Sequence, residues 1–72
     1  MNNLNVAKIQ LNGDPYEVIN GTNLNDLLNK LKLQKNKIAI EVNGEIIEKS
    51  KYPNLILRRD DKVEIVHFIG GG

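Results

Sequence analysis

From Val6 the chain alternates, with Ala7, Ile9 and Leu11 on one side and Lys8 and Gln10 on the other. That two-residue period predicts a half-buried β-strand. Asn12-Gly13 then breaks the pattern. This pair suits a tight mirror-type hairpin turn, which needs positive φ at both central positions. Asp14-Pro15 opens the return strand Tyr16-Glu17-Val18-Ile19, with the proline at the start, where no ladder donor is lost. Asn20-Gly21-Thr22-Asn23 ends the hairpin and supplies two N-cap candidates, Thr22 and Asn23. Leu24, Leu27, Leu28 and Leu31 follow at i, i+3, i+4 and i+7, a single apolar stripe on a short helix. Asn25, Asn29, Lys30 and Lys32 take its polar face, and Asp26 in the first turn suits the positive end of the helix dipole. The stripe predicts a helix packed on a sheet, because the hairpin needs an apolar partner.

Residues 33–37 form a polar link. Ile38, Ile40 and Val42 then alternate with Ala39 and Glu41 as a third strand, and Asn43-Gly44 marks a second tight turn into a short fourth strand, Glu45-Ile46-Ile47. Residues 48–52 are charged and irregular. Pro53-Asn54 adds a turn, and Leu55-Ile56-Leu57 returns to the core. Arg58-Arg59-Asp60-Asp61 reads as a polar turn in which Asp tolerates a left-handed backbone. The last strand starts at Lys62-Val63-Glu64-Ile65 and runs into Val66-His67-Phe68-Ile69 and three glycines, Gly70-Gly71-Gly72. The order is ββαβ(β)β in one α+β domain, residues 1–72, with a loose lead at 1–5 and a glycine tail at 70–72. A mixed four- to five-stranded sheet with one helix across it, first and last strands parallel at the centre, satisfies that order.

Composition narrows the function. A chain of 72 residues buries only about 60% of its unfolded surface, enough for one core layer but not for a deep catalytic cleft. Ten basic and nine acidic side chains leave +1, so no general electrostatic drive toward nucleic acid or a membrane surface is visible. The absence of cysteine excludes disulfides, thiolate catalysis and Cys-type zinc sites, and suits a reducing, cytoplasmic setting. No apolar run approaches the roughly 20 residues of a membrane span, and the polar start Met1-Asn2-Asn3 is unlike a signal peptide.

The tail holds the candidate chemistry. Glycine strips side chains from the backbone and opens all of φ/ψ space, so Gly70 and Gly71 can thread a slot too narrow for other residues. Three extended residues reach about 10 Å beyond a folded body. The terminal carboxylate of Gly72 is then the working group. Val66 and Phe68 follow by alternation: if Val63 and Ile65 face the helix, these two lie on the opposite, water-facing side of the sheet. Apolar residues on such a face mark a docking surface. His67 has no partner spacing for catalysis or metal binding and reads as a structural or rim residue. Adjacent Asp60 and Asp61 at a turn read as solvated loop chemistry.

Several runs together resemble the thiamine-biosynthesis sulfur carrier family, whose members are ubiquitin-like β-grasp domains. These runs are Ile9-Gln10-Leu11-Asn12-Gly13, Leu24-Asn25-Asp26-Leu27-Leu28, Val42-Asn43-Gly44-Glu45-Ile46-Ile47 and the closing stretch from Val63 to Gly72. The last is the specific part, since a bare Gly-Gly end is common to ubiquitin-like proteins. Two departures stand out: Arg59-Asp60-Asp61 where the family often has glycine, and the extra lead 1–5. The resemblance implies a carrier that is not an enzyme and binds no cofactor or metal itself. An E1-like adenylyltransferase would use ATP to activate Gly72, a cysteine desulfurase or other persulfide source would supply sulfur, and thiazole synthase would receive it. Molybdopterin synthesis and tRNA thiolation are the neighbouring destinations for such a carrier. A ubiquitin-like interaction module without sulfur chemistry is the reading from a different class.

Overall fold

The computed structural model describes residues 5–68; residues 1–4 of the lead and 69–72, which include the Gly70–Gly72 tail, lie outside the described residues. The elements are β1 (Val6–Leu11), β2 (Asp14–Ile19), α1 (Leu24–Leu31), β3 (Ile38–Val42), β4 (Glu45–Ile46) and β5 (Lys62–His67). They form a five-stranded mixed sheet in the order β2-β1-β5-β3-β4, with one helix across one face. β1 and β5 are parallel, and the other neighbours are antiparallel. This is the ubiquitin-like β-grasp, with the first and last strands adjacent at the centre.

Local chemistry explains each connection. Both Asn-Gly pairs adopt positive φ at both positions, Asn12 at 50° and Gly13 at 87°, Asn43 at 52° and Gly44 at 86°. Those are mirror-type turns matched to the twist of their hairpins. Of the two cap candidates, Asn23 caps α1: its side chain accepts from the Asp26 N–H at 2.7 Å, and Asp26 accepts back from the Asn23 N–H at 3.2 Å. The reciprocal pair satisfies two donors that would otherwise be orphaned. Thr22 instead donates its hydroxyl to the Ile19 carbonyl.

The helix stops without a glycine. Lys32, which periodicity alone puts on the polar helical face, turns left-handed at φ 60°. Its N–H reaches the Asn29 carbonyl while the Leu33 N–H reaches Leu28 at 2.9 Å, the double closure of a Schellman ending. Leu33 then packs against the core instead of joining a wholly polar link.

Leu24, Leu27 and Leu28 pack against Ala7, Ile9, Val18, Ile38, Ile40, Val42, Val63 and Ile65 from the sheet. Leu31 is half-buried at the rim. The stretch 48–52, irregular by pattern, contributes a 3-10 turn over Lys49–Asn54 whose Tyr52 is fully enclosed. Asn23 donates to the Pro53 carbonyl at 3.1 Å, tying this turn to the start of α1. Asn5, grouped with the lead on sequence, accepts from the Asn20 N–H at 2.7 Å and continues the hairpin ladder.

Candidate functional site

The last strand, β5, is held from several sides. Val63 and Ile65 point into the core at 1% and 8% exposure, anchoring the strand from the helix side. Antiparallel pairing with β3 runs from Val42↔Val63 to Ile38↔His67, and the Phe68 N–H donates to the Lys37 carbonyl at 3.0 Å. On the other side β1 accompanies β5 only as far as Leu11↔Val63. Beyond that point the turn residue Asn12 takes over, its side-chain oxygen accepting from the Ile65 N–H at 2.8 Å. The second turn does the same at the start of the strand, where the Asn43 oxygen accepts from the Lys62 N–H at 2.9 Å and its amide donates to Asp61 at 3.0 Å.

These two asparagines were missed as positioning residues by sequence reasoning. Asn-Gly signals a turn, but nothing local tells that each side chain reaches a strand 53 or 19 residues away. The polar turn before β5 closes in its own way. Asp60 is left-handed at φ 71°, and Asp61 accepts from the Arg58 N–H at 2.8 Å. An aspartate thus takes the left-handed backbone that this turn requires. Asp60 also makes the only ion pair among the described residues, with Arg59 at 3.8 Å and almost fully exposed.

Val66 and Phe68 lie on the face away from α1, 59% and 53% exposed. The Lys49 ammonium sits 5.5 Å from the centre of the Phe68 ring, within cation–π range. Ile46 of β4 adds a third apolar group on that side, 75% exposed. His67 is exposed at the strand end, and among the described residues no group of three or more His, Asp or Glu is placed to hold a metal. Gly70, Gly71 and Gly72, expected to thread and react, lie outside the described residues. The structure therefore brings Val66 and Phe68 together at the point where the chain leaves for its tail.

Among the described residues, Tyr52 is the one buried side chain with an unmet polar atom: its hydroxyl has no hydrogen-bond partner. Burial pushes the phenol above its ordinary value of 10.0, and the Ile40 backbone pulls less strongly the other way without making a hydrogen bond of ordinary geometry. It lies in the core below the 3-10 turn, away from the exposed sheet face.

Fold and site together define a ubiquitin-like β-grasp domain whose central strand carries an apolar surface out toward a C-terminal glycine run. Comparison with known proteins sharpens that class. The ThiS family model matches residues 9–72, and the chain belongs to the ThiS family. It is 40% identical to the sulfur carrier protein ThiS of Bacillus subtilis over 65 residues, covering 89% of this chain and 98% of that one. Its fold matches the crystal structure of the thiamine biosynthesis protein ThiS from Geobacter metallireducens with a TM-score of 0.78 at 32% identity, covering 90% and 99% of the two chains. A thiazole synthase of Magnetococcus marinus is 43% identical over 65 residues, 90% of this chain but only 20% of that protein. The chain thus spans about a fifth of the length of that relative.

Proposed function

We propose that this chain is a sulfur carrier of thiamine biosynthesis and that the carboxylate of Gly72 is its reacting group. The observation that supports this most is the extent of the family match, residues 9–72, which takes in the last strand and the three glycines. A carboxylate is a delocalised anion and a poor acylating agent. In the first step one of its oxygens attacks the α-phosphorus of ATP, forming an acyl-adenylate and releasing pyrophosphate; an E1-like adenylyltransferase supplies this catalysis. A persulfide sulfur from a cysteine desulfurase or equivalent source then attacks the acyl carbon, and AMP leaves with the bonding pair. A second thiol cleaves the resulting acyl disulfide, is oxidised to a disulfide with the sulfur donor, and leaves Gly72 as a thiocarboxylate.

This route accounts for a cysteine-free chain that carries sulfur, because the sulfur replaces an oxygen of the terminal backbone group. Thiazole synthase takes the sulfur; the match of this domain to part of a protein bearing that name supports the partnership. The carrier supplies shape, a docking face at Val66 and Phe68, and a glycine leash, while its partners supply catalysis. ATP and thiol reductants are cytoplasmic, which is where we place the reaction.

Adding one residue after Gly72 moves the carboxylate one position along the leash and tests this reading. The extended chain should lose ATP-dependent adenylation while its unfolding midpoint stays where it was. An extended chain that is adenylated as fast as the wild type would refute the terminal-carboxylate mechanism.

A further inference from the structure

The sheet has two open edges, and β2 is the long one, six residues against two in β4. The Asn20 N–H donates to the Asn5 carbonyl at 2.7 Å, on the side of β1, while the Gln10 N–H of β1 turns the other way, to the Asp61 carbonyl. Antiparallel alternation then points Asp14, Tyr16 and Val18 at β1 and leaves Pro15, Glu17 and Ile19 pointing outward. These three do not present a full ladder. Pro15 has no N–H and offers only its carbonyl. The Ile19 carbonyl already accepts from the Thr22 N–H at 3.0 Å and from the Thr22 hydroxyl at 2.6 Å, so Ile19 offers only its N–H. Glu17, midway between them, offers both groups, and neither makes a bond among the described residues.

An acceptor, a donor with an acceptor, and a donor, in that order, complement themselves when the strand is reversed about its midpoint. We propose that the outer edge of β2 pairs with β2 of a second copy of this chain, antiparallel and two-fold symmetric about Glu17. In that register the two Glu17 residues exchange their N–H and carbonyl bonds. Each Ile19 N–H then donates to the Pro15 carbonyl of the other copy, and no outward donor or acceptor is left over. A slip of two residues either way sets Glu17 against the occupied Ile19 carbonyl or against the missing Pro15 N–H. Side chains agree with the same register. On the helix face Tyr16 comes opposite Val18, and on the other face Ile19, 66% exposed, comes opposite Pro15. A groove of about 340 Å³ runs between this edge and α1, with Asp26 near its Thr22 end and Lys30 level with the Tyr16 ring, 5.1 Å from its centre. Reversal about the two-fold sets Lys30 of one copy toward Asp26 of the other. One feature opposes the contact: the two Glu17 side chains stand directly across from each other, where like charges destabilise a sheet. A charge on an edge strand restrains pairing in this way, so association is weak and Glu17 sets its strength. β1 separates β2 from β5, so both copies keep the outgoing strand uncovered.

A concentration series of the full chain, followed by amide NMR and sedimentation up to about 1 mM, reaches the range in which so small a contact associates. The Glu17 and Ile19 amides should shift with concentration, and sedimentation should end at a dimer. Glu17→Gln removes the charge opposition and should tighten association about two- to fivefold. Mixing wild type with Glu17→Lys sets opposite charges across the two-fold, so the mixture should associate about fivefold or more tightly than wild type alone, whereas Glu17→Lys by itself should not. Added salt should strengthen the wild-type contact and weaken the mixed one. Glu17 is exposed, so melting curves of dilute samples should stay near wild type and show that each variant is folded. Glu17 and Ile19 amides that stay fixed over the whole range in both wild type and Glu17→Gln overturn the inference. A mixture no tighter than wild type alone overturns it too, because Glu17 is then not at the two-fold. Growth past a dimer with shifts at Glu45 and Ile46 reports edge-to-edge chains through β4, and shifts confined to Val66 and Phe68 report contact through the open face; either result overturns self-pairing of β2.

Discussion

Replacing Asn12 by glycine isolates the device that holds the outgoing strand. Asn12 sits at φ 50°, so glycine keeps the left-handed turn and removes only the side chain. What is lost is the 2.8 Å bond from the Ile65 N–H, on the side of β5 where β1 has already ended. A bond of this kind contributes about 0.5–1.5 kcal/mol net, and leaving its donor unsatisfied costs about 1–3 kcal/mol. Asn12 is exposed, so water reaches part of the vacated space, and about 1–2 kcal/mol is the expected loss. Two backbone terms nearly cancel: glycine relieves about 1 kcal/mol of left-handed strain and gains a similar amount of unfolded-state freedom. For a chain of 72 residues that loss lowers the thermal midpoint by roughly 5–15 °C. Denaturant titration followed by circular dichroism gives the free energy, and amide hydrogen exchange reads the Ile65 N–H directly. If the Ile65 amide exchanges as slowly in the variant as in the wild type, or stability is unchanged, Asn12 does not brace β5 and the reasoning fails.

Leu28→Ala removes a core side chain that is 3% exposed, and a cavity of that kind should cost about 2–5 kcal/mol on denaturant titration. In a small domain near the low end of about 5–15 kcal/mol, that populates the unfolded state. Tyr52→Phe should stabilise by about 1 kcal/mol, because it deletes a buried hydroxyl with no partner. Its pH signature has a definite sign: the folded-state phenol lies above its unfolded value of 10.0, so wild-type stability is full below pH 10 and is lost as pH rises through the folded value, and the advantage of Tyr52→Phe should widen there. Phe68→Ala, at an exposed aromatic beside the tail, should weaken adenylyltransferase binding by about 30-fold, the equivalent of about 2 kcal/mol, with a far smaller change in midpoint than Leu28→Ala. Calorimetric titration beside a melting curve checks both halves.

The sheet and its helix were legible because their signals are local. Alternation in β1, β3 and β5, two Asn-Gly turns and a four-leucine stripe each constrain a few consecutive residues, and every one of them agrees with the same packing. Period two puts Val66 and Phe68 opposite Val63 and Ile65, and packing decides which pair faces the helix: Val63 and Ile65 are buried, and Val66 and Phe68 are exposed. What sequence did not give depends on distant partners or on geometry without a period. Tyr52 lies in a charged stretch with no repeat, yet a 3-10 turn folds it fully under the core edge. Lys32 ends α1 left-handed because the chain closes on Leu28 and Asn29, a constraint carried by the backbone and not by the lysine. The chemistry expected of the tail rests on residue type, position and family resemblance, since Gly70–Gly72 lie outside the described residues.

Intact-mass spectrometry reads out whether Gly72 carries the sulfur, as proposed above. After incubation with ATP, the adenylyltransferase, a persulfide source and a thiol reductant, the chain should gain about 16 Da, the difference between sulfur and oxygen in one terminal group. Fragmentation should place that gain on Gly72, and the chain extended by one residue should show none. A wild-type chain whose mass is unchanged after this incubation, or a gain that maps to any other residue, would contradict the account.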